Sequence, residues 1–573
     1  MLFRSSKEDI EDQWKERGIE YGFGQQEAEE VFERADGRVK EGGIKIEPPT
    51  DEEATEIFKG LLMTESVISD AKARAACLGH FTGRAAPAEI NKVVNAMLER
   101  ESVDLAQVGA VKMISSHEMI ALERQMVDIA ATYKRPNAFD KDLIDRVMEK
   151  VKAEKIADGK PMSAQQEEAV RFLAESQDGV VSMVGRAGAG KSYSVAALKE
   201  IAGESGWEVI GTSLSWAASR NLADEGKLDS ASAIADFTHK LDKGQVKLHD
   251  KSLIVVDEAG IVGSRDMHKI LAAAEKAGSV VVLTGDPLQI GSVSAGGAFR
   301  AILEEKERHG GRPYAELNEV RRQKQEWDKQ AGLKLSVGCA EEAIQDYIKK
   351  GREDWKQGDD LGRINILEKR DQARDAMFDK YIGDRFDGTG KSQLMIAKTN
   401  KDVDALNLKV HKALQEKGIV GQDVPIKVAA KEGDEDRMFA VGDMIQFRKK
   451  SSEIEFSDGE KKQVYNRTRG KILEINGSGE DTKLKVQIFS GDKLSDLTVE
   501  ISGQDFRAGT LPIEHAYCMT VDSAQGQTFD RAYVMGGEFD RARAYVACTR
   551  HREDLNVYTD KDTTAPSASS ERR

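Results

Sequence analysis

The sequence contains little cysteine, and its four cysteines lie far apart. They form no CxxC pair and are Cys77, Cys339, Cys518 and Cys548. This spacing excludes a disulfide framework and argues against a cysteine-bound zinc site. A reducing, cytoplasmic location is therefore predicted.

Long apolar runs and excess positive charge are also absent. No stretch approaches the roughly 20 apolar residues of a membrane span, and the opening MLFRSSKEDIEDQ turns acidic before a signal-peptide core could form. The formal net charge of -15 excludes a protein that coats nucleic acid through overall basicity. Any polynucleotide would have to bind in a local groove.

The length of 573 residues predicts three or four domains. Residues 1–160 are rich in charge and are predicted to be helical, with a linker at 44–53 where Pro48 and Pro49 interrupt any helix. The segment 115–130 has the apolar spacing of an amphipathic helix. Two pairs of a hydroxyl residue and a carboxylate predict helix starts, namely Thr50 with Glu53 and Ser115 with Glu118.

From 161 to 305, short apolar strands alternate with helices, the pattern of a parallel sheet. A second α/β block is predicted at 306–431 and 511–560. The intervening residues 432–510 alternate apolar and polar side chains around turn residues, which predicts a small all-β insert of the SH3-like kind. The tail 561–573 is predicted to be disordered. Strands are predicted at 180–184, 207–213, 252–256, 279–283, 394–399 and 531–535.

The strongest local signal is GRAGAGKS at 185–192, a GxxxxGK[S/T] motif directly after an apolar strand. Its glycines let backbone N–H groups surround phosphates, Lys191 would neutralise the β- and γ-phosphates, and the Ser192 hydroxyl would bind Mg²⁺. The alternative is a glycine-rich turn with a solvated lysine. ATP contacts are predicted for Gly185, Arg186, Ala187, Gly188, Ala189, Gly190, Lys191, Ser192 and Tyr193.

Two carboxylates, Asp257 and Glu258, directly follow the predicted strand 252–256, at the sheet edge where ligands bind. Asp257 is predicted to hold Mg²⁺, and Glu258 to orient and deprotonate the attacking water. In isolation such a pair is often a solvated turn. The motif TGDPLQI follows one strand later and offers Gln289 as a γ-phosphate contact, with a plain Asp-Pro turn as the alternative.

Three further side chains complete the predicted ATP site. Gln166 could recognise adenine through its amide, although Ser163 and Gln166 also form a simple capping box. Arg322 and Arg550, assigned to the second α/β block, could cross a cleft as arginine fingers. A single arginine of this kind is usually solvated.

The ordered motifs resemble those of superfamily 1 helicases. The series MSAQQ, GRAGAGKS, VIGTSLSWAA, VVDEAG, TGDPLQ, VRRQ, AKTN, VDSAQGQT and YVACTR is similar to the RecD-like branch, and most closely to the helicase half of conjugative relaxases of the TraA/MobA type. The resemblance covers about 160–560.

This resemblance implies an α/β protein with two RecA-like P-loop domains, ATP and Mg²⁺ in the cleft between them, and single-stranded DNA moved 5′ to 3′ across their tops. It assigns the ATP-site residues named above. It further implies a DNA track, with ordinary strand-end capping as the alternative for its small polar side chains. The track residues are Thr212, Ser213, Thr399, Asn400, Thr520, Ser523 and Gln525.

The sequence departs from this family at two motifs. Asp522, Ser523 and Ala524 precede Gln525 where relatives usually show a His-Lys pair, and Ala217 stands where a lysine is common, which removes one expected phosphate contact. Only two histidines, His80 and His117, precede the P-loop, so the nicking domain of a relaxase is predicted to be absent.

The predicted insert supplies additional basic residues. These are Arg448, Lys449 and Lys450, together with Arg467 and Arg469 in a turn that also contains the amide of Asn466, and they are predicted to contact DNA.

Three functions remain open from the sequence. The first is a conjugative helicase or translocase, expected to be a monomer and to work with a relaxase domain or other conjugation machinery. The second is a RecD-like repair helicase, and the third is a scaffold that binds ATP and DNA without stepping. A complete set of ATP-site residues argues against the scaffold.

Overall fold

The computed structural model describes residues 48–564 except 110, 187, 288–296, 311, 354–362, 431–432, 478, 480, 507–508 and 538. The chain divides into two compact units, with described residues 48–63 and 67–117 in one and 64–66 and 118–564 in the other. Within these described ranges, every helix is too short or too polar to span a bilayer.

The smaller unit contains three helices and three strands. They are α1 Asp51–Thr64, β1 Ile68–Ser69, α2 Asp70–Phe81, α3 Pro87–Glu101, β2 Ser102–Val108 and β3 Val111–Ser116. The predicted cap at α1 is present, because Glu53 N donates to Thr50 Oγ1 and Thr50 N donates to Glu53 Oε2, at 3.2 and 3.1 Å. The antiparallel pairing of β2 with β3 shows that the prediction of a helical region was wrong at 102–108 and 111–116.

The larger unit begins with a first parallel sheet and its helices. These elements are α4 His117–Thr132, α5 Lys141–Ala157, α6 Ala164–Glu175, β4 Val180–Gly185, α7 Lys191–Glu204, β5 Glu208–Ser213, α8 Trp216–Gly226, β6 Ser230–Ala233, α9 Ile234–Asp242, β7 Ser252–Val256, α10 Ser264–Ala277, β8 Val280–Gly285, α11 Ala298–Arg308 and β9 Ala315–Leu317. The strand order is β6-β5-β7-β8-β4-β9, and every pair is parallel.

Helices on both faces explain why the central strands consist of continuous apolar runs. Every residue of β7 and β8 is buried, as expected for parallel strands covered on two sides. The strand β4 lies between β8 and β9, so the phosphate-binding motif leaves the sheet from an interior strand.

Both predicted ends of the first α/β domain differ from the structure. The strand β9 pairs with β4, so the sheet continues beyond residue 305. Helices α4 and α5 contribute Met126 and Val147 to the cores of the same sheet. The fold around the first sheet therefore begins well before residue 161, because these helices cover its faces.

The remainder of the larger unit is a second parallel sheet interrupted by an antiparallel insert. Its first part contains α12 Glu326–Val337, α13 Ala340–Glu353, β10 Ile364–Leu367, α14 Arg370–Arg385, β11 Gln393–Ala397 and α15 Asn400–Glu416. The insert contains β12 Val424–Ala430, β13 Gly433–Phe439, β14 Met444–Phe447, β15 Ile454–Glu455, β16 Lys461–Lys462, β17 Arg469–Asn476, β18 Lys483–Ser490, β19 Lys493–Ser502 and β20 Ile513–His515. The last part contains β21 Cys518–Thr520, α16 Val521–Ala524, β22 Phe529–Met535, α17 Arg541–Cys548, β23 His551–Asp560 and α18 Lys561–Thr564.

The second sheet has the order β10-β23-β22-β11-β21 and is parallel throughout. With the first sheet it confirms the predicted α/β class. The prediction of a disordered tail was wrong at its start, since residues 561–564 form α18, while 565–573 lie outside the described residues.

The β insert is a five-stranded antiparallel sheet of order β19-β18-β17-β14-β20, joined by the β12–β13 hairpin. Ile426 and Val428 of the hairpin lie in the same apolar core as Ile445 and Val486. The insert therefore occupies 424–515, because its core includes the hairpin, and an SH3-like barrel stays a prediction.

A buried polar junction fastens the β insert to the second sheet. The Asp443 carboxylate accepts from Tyr517 Oη at 2.8 Å and from the backbone N–H of Ala440 at 2.8 Å, and it lies 2.9 Å from His411 Nδ1 and 3.2 Å from His515 Nε2. Burial alone would raise the pKa of Asp443, but the bonds from the two histidines outweigh it and hold that pKa far below its usual range. The junction thus joins α15 to β14 and β20, neighbouring strands at one edge of the insert sheet.

Candidate nucleotide site and DNA groove

The phosphate-binding loop requires glycine at two positions. Gly188 and Gly190 have φ angles of +80° and +88°, which are strained for residues with a side chain. A Cβ on Gly188 would lie 2.3 Å from Arg322 Cβ, and one on Gly190 would lie 2.3 Å from Gln166 Nε2. The loop is therefore held in shape by close packing on both sides.

Lys191 begins α7, and its ammonium bends back over the loop. Nζ donates to the carbonyl oxygens of Gly185 at 2.9 Å and Arg186 at 3.4 Å. Both acceptors belong to the loop itself, so the ammonium lies where the phosphates of a nucleotide would sit.

Gln166 forms the predicted capping box and is buried. Its backbone N–H donates to Ser163 Oγ at 3.2 Å and its side-chain oxygen accepts from Ser163 N at 3.0 Å, which is the capping box. The amide nitrogen donates to the Ala189 carbonyl at 3.3 Å. Adenine recognition stays a prediction.

The acidic pair lies at the end of β7, as its sequence position suggested. Thr284 Oγ1 donates to Asp257 Oδ1 at 2.6 Å, which fixes that carboxylate from the neighbouring strand. Glu258 has a left-handed backbone with φ of 51°, a conformation that costs energy and recurs at functional sites. Loss of hydration raises the pKa of Glu258. The positive charges of Lys191 and Arg550 act in the opposite direction and lower it. These four charged groups therefore share one site.

Arg322 and Arg550 face this site from different elements. Arg322 lies five residues after β9, where the two α/β blocks meet, and the N–H of the preceding Arg321 donates to the Gly188 carbonyl of the phosphate-binding loop at 2.8 Å. Arg322 Nη1 donates to the Thr549 carbonyl at 2.9 Å. Loss of hydration, together with the positive charge of Arg550, lowers the pKa of Arg322 to about 9. Arg550 lies between α17 and β23, is 1% exposed, and donates from Nε to the Val546 carbonyl at 2.9 Å. Arg322 and Arg550 therefore both approach Glu258 at the junction of the two sheets.

Two predicted ATP contacts, Ala187 and Gln289, lie outside the described residues. One relevant interaction was missed: Tyr545 Oη donates to Asp286 Oδ2 at 3.1 Å across the cleft. Asp286 lies in the motif TGDPLQ and Tyr545 is the first residue of YVACTR, but no sequence signal pairs them.

The predicted DNA residues form two groups. In the first, Thr399 and Thr520 are N-caps, accepting from the backbone N–H groups of Asp402 at 3.1 Å and Ser523 at 3.3 Å. Capping, the alternative drawn from the sequence, is therefore present. Asn400, Thr520 and Ser523 nevertheless line a groove of about 430 Å³ between the second sheet and the β insert, the DNA groove hereafter.

The second group is buried. Thr212 and Ser213 end β5 with no exposed surface, and their hydroxyl oxygens have no hydrogen-bond partner within the described part of the chain. Gln525 Nε2 is likewise buried with no partner among those residues. Unsatisfied buried polar atoms are uncommon and require an explanation. Contact of these three residues with DNA stays a prediction.

The basic residues of the insert separate into accessible and buried ones. Arg467 lines the DNA groove, has φ of 68°, and its guanidinium has no hydrogen-bond or ion-pair partner among the described residues. Arg448 also lines the groove but pairs with Glu514 at 3.0 Å. Arg469 is 7% exposed, with its guanidinium 4.5 Å from the centre of the Phe489 ring. The prediction of a basic surface contact was therefore wrong for Arg469.

Replacing Arg467 with alanine is expected to weaken binding of single-stranded DNA and to reduce the slope of log affinity against log salt by about 1, since one phosphate contact is lost. Basal ATP hydrolysis should stay unchanged. Fluorescence anisotropy at several salt concentrations measures both quantities. Arg469→Met is the matched control, because it fills the same buried space, and it should keep the wild-type slope. An unchanged slope for Arg467→Ala would mean that Arg467 has a structural role and makes no phosphate contact.

Comparison with known proteins agrees with this geometry. Residues 161–357 match the family described as AAA domain, and residues 426–559 match the family described as viral superfamily 1 RNA helicase core domain. The chain therefore carries a superfamily 1 helicase core and is an enzyme of the ATPase/helicase class with a P-loop nucleotide site.

The chain is also homologous to conjugal transfer proteins named TraA. It is 31% identical over 463 residues to a probable conjugal transfer protein TraA of Sinorhizobium fredii, covering 80% of this chain and 38% of the relative. It is 32% identical over 383 residues to the TraA protein of Rhizobium radiobacter, covering 66% of this chain and 31% of the relative. The chain thus spans between about three and four tenths of the length of these relatives.

Solved structures with a similar arrangement include two Pif1 helicases. The Pif1 helicase from Candida albicans gives a TM-score of 0.44 at 17% identity, covering 69% of this chain and 94% of that one. Bacteroides Pif1 bound to single-stranded DNA gives a TM-score of 0.44 at 14% identity, covering 71% and 95%.

Proposed function

We propose that the protein is an ATP-dependent DNA translocase that moves 5′ to 3′ on single-stranded DNA and unwinds duplexes during conjugative transfer. The observation that carries the proposal is the meeting of charges across the cleft. Arg550, beside the second sheet, lies near enough to Glu258 of the first sheet to oppose the rise in its pKa. A nucleotide bound in this cleft would therefore contact charged residues from both sides of it.

The chain's own residues supply the parts of phosphoryl transfer. Lys191 would bind the β- and γ-phosphates, Glu258 would orient and deprotonate the attacking water, and Arg322 and Arg550 would stabilise charge on the transferred group. Gln289 is proposed to contact the γ-phosphate.

The donor set next to this cleft suits Mg²⁺. Ser192 and Asp257 offer a hydroxyl and a carboxylate, the hard oxygen ligands that this ion prefers. Thr284 fixes Asp257 from behind. When bound, the ion would neutralise phosphate charge.

The DNA groove supports binding of a single strand. Asn400, Thr520 and Ser523 offer hydroxyl and amide groups on one wall, and Arg467 offers an unpaired cation on the other. Such groups bind the backbone without reading sequence. Because the net charge is -15, a local groove of this kind is the way the chain could hold a polyanion.

The biological setting is proposed from the TraA relatives. Conjugative transfer is favoured over repair because those proteins are named for it, although the ATP site would serve either pathway. A relaxase domain or other conjugation machinery is the proposed partner, and a monomer is the proposed working form. The four free cysteines fit a reducing cytoplasm.

Forked DNA tests both activity and direction. A fork with a 5′ single-stranded tail should be unwound in the presence of ATP, and its 3′-tailed counterpart should not. ATP hydrolysis should rise with single-stranded DNA and much less with blunt duplex. Strand separation in a gel and a coupled ATPase assay measure these results, with an ATPase-deficient variant as the control.

Unwinding of the 3′-tailed fork alone would overturn the proposed direction while leaving the ATP site intact. Hydrolysis that ignores DNA would overturn the proposed translocase.

A further inference from the structure

An aromatic pair connects the first sheet to the β insert. Trp216 opens α8, and Tyr465 lies just before β17. Their rings are stacked, with centroids 4.2 Å apart and planes inclined by 16°. Tyr465 is 8% exposed, whereas Trp216 is half-buried and lines a cavity of about 440 Å³. The indole is therefore within reach of a ligand.

Two cations surround this aromatic pair. Lys450 Nζ lies 4.6 Å from the Trp216 ring centre and 5.4 Å from that of Tyr465. The Arg220 guanidinium lies 4.6 Å from the Tyr465 ring centre, and its Nη2 donates to the Gln463 carbonyl at 2.7 Å. Neither cation forms an ion pair with a described carboxylate. Aromatic rings beside unpaired cations are the combination that holds single-stranded nucleic acid.

The aromatic pair lies beside the proposed path of the strand. Trp216 follows Ser213 by three residues, and Tyr465 precedes Arg467 of the DNA groove by two.

We propose that the aromatic pair is a stacking site for one base of single-stranded DNA, which enters between Trp216 and Tyr465. This inference rests on the proposed function. Lys450 and Arg220 would meet the adjoining phosphates. A sandwiched base needs about 7 Å between the rings, twice the contact distance of about 3.5 Å, so the rings must part from their present 4.2 Å. The site would accept any base, because each has a stacking face.

The first experiment compares intact and abasic oligonucleotides. Trp216→Ala should bind an intact oligothymidylate roughly 5- to 150-fold more weakly than the wild type, and Trp216→Phe should keep most of the affinity. On an oligonucleotide made of abasic sites, the wild type and Trp216→Ala should bind equally, since no base can stack.

The second experiment uses the indole as a reporter. Adding the intact oligothymidylate should quench tryptophan fluorescence in the wild type, and Trp216→Phe should lose the larger part of this change. Trp327→Phe is the matched control, because Trp327 also lies against a tyrosine and an arginine, Tyr347 and Arg363, on the second sheet's helices. It should keep the quench.

The outcomes separate this inference from the proposed function. Equal loss of affinity by Trp216→Ala on intact and abasic DNA would make the pair a structural link and overturn the stacking site. DNA-stimulated hydrolysis in the wild type, with quenching unaffected by Trp216→Phe, would overturn the stacking site alone. A wild type that binds neither oligonucleotide would overturn both.

Discussion

Lys191→Ala is expected to lower the rate of ATP hydrolysis by roughly 10²- to 10³-fold or more, the cost of losing one fixed charge from a phosphoryl-transfer site. The protein should remain folded. The Lys191 ammonium makes polar contacts, with the carbonyl oxygens of Gly185 and Arg186, so its loss removes little apolar packing. A coupled ATPase assay and a thermal unfolding curve measure the two quantities.

Lys199→Ala is the matched control for this substitution. Lys199 lies in the same helix, α7, but its ammonium pairs with Asp229 away from the phosphate-binding loop. It should hydrolyse ATP at close to the wild-type rate. Retained turnover in Lys191→Ala, or its unfolding, would count against the assigned site.

Glu258→Gln is expected to separate nucleotide binding from hydrolysis. Glutamine keeps the size of the side chain and the left-handed backbone, but it cannot accept the proton of the attacking water. Loss of a general base typically lowers a rate by about 10²- to 10⁴-fold. Binding of a fluorescent ATP analogue should be as tight as in the wild type, while single-turnover hydrolysis should be very slow.

Glu275→Gln makes the same chemical change at an exposed position of α10 and should leave both measurements unaltered. Near-normal turnover in Glu258→Gln would falsify the role of Glu258 as the base. Loss of binding together with turnover would instead make it a residue that shapes the site.

The parts of the structure that could be predicted from sequence are those specified by contiguous residues. The strand predicted at 252–256 is β7 with the same bounds, and that at 180–184 is β4 short by one residue. Continuous apolar runs mark buried parallel strands wherever they pair. The phosphate-binding loop was predictable for a related reason, because its geometry depends on glycines inside one segment.

Features that depend on distant residues could not be predicted. The strand β9 has three residues, too few to show a period, and it is defined by pairing with β4 about 130 positions earlier. Arg469 is buried because Phe529 packs against it from the second sheet. The hairpin at 102–116 has few strand-forming residues, and its pairing outweighs the local propensity of its neighbours.

The hydrogen bonds of Asp443 attach the β insert to the second sheet. His411, His515 and Tyr517 tie Asp443 to the second sheet, and Asn407 adds bonds to the backbone of Tyr517 and Cys518 at 3.0 and 2.8 Å. A rotation of the second sheet would therefore move the β insert together with it. In the proposed translocase, the far end of the insert would sweep through a longer arc than the cleft itself, so that a small closure around nucleotide would give a larger movement along the strand.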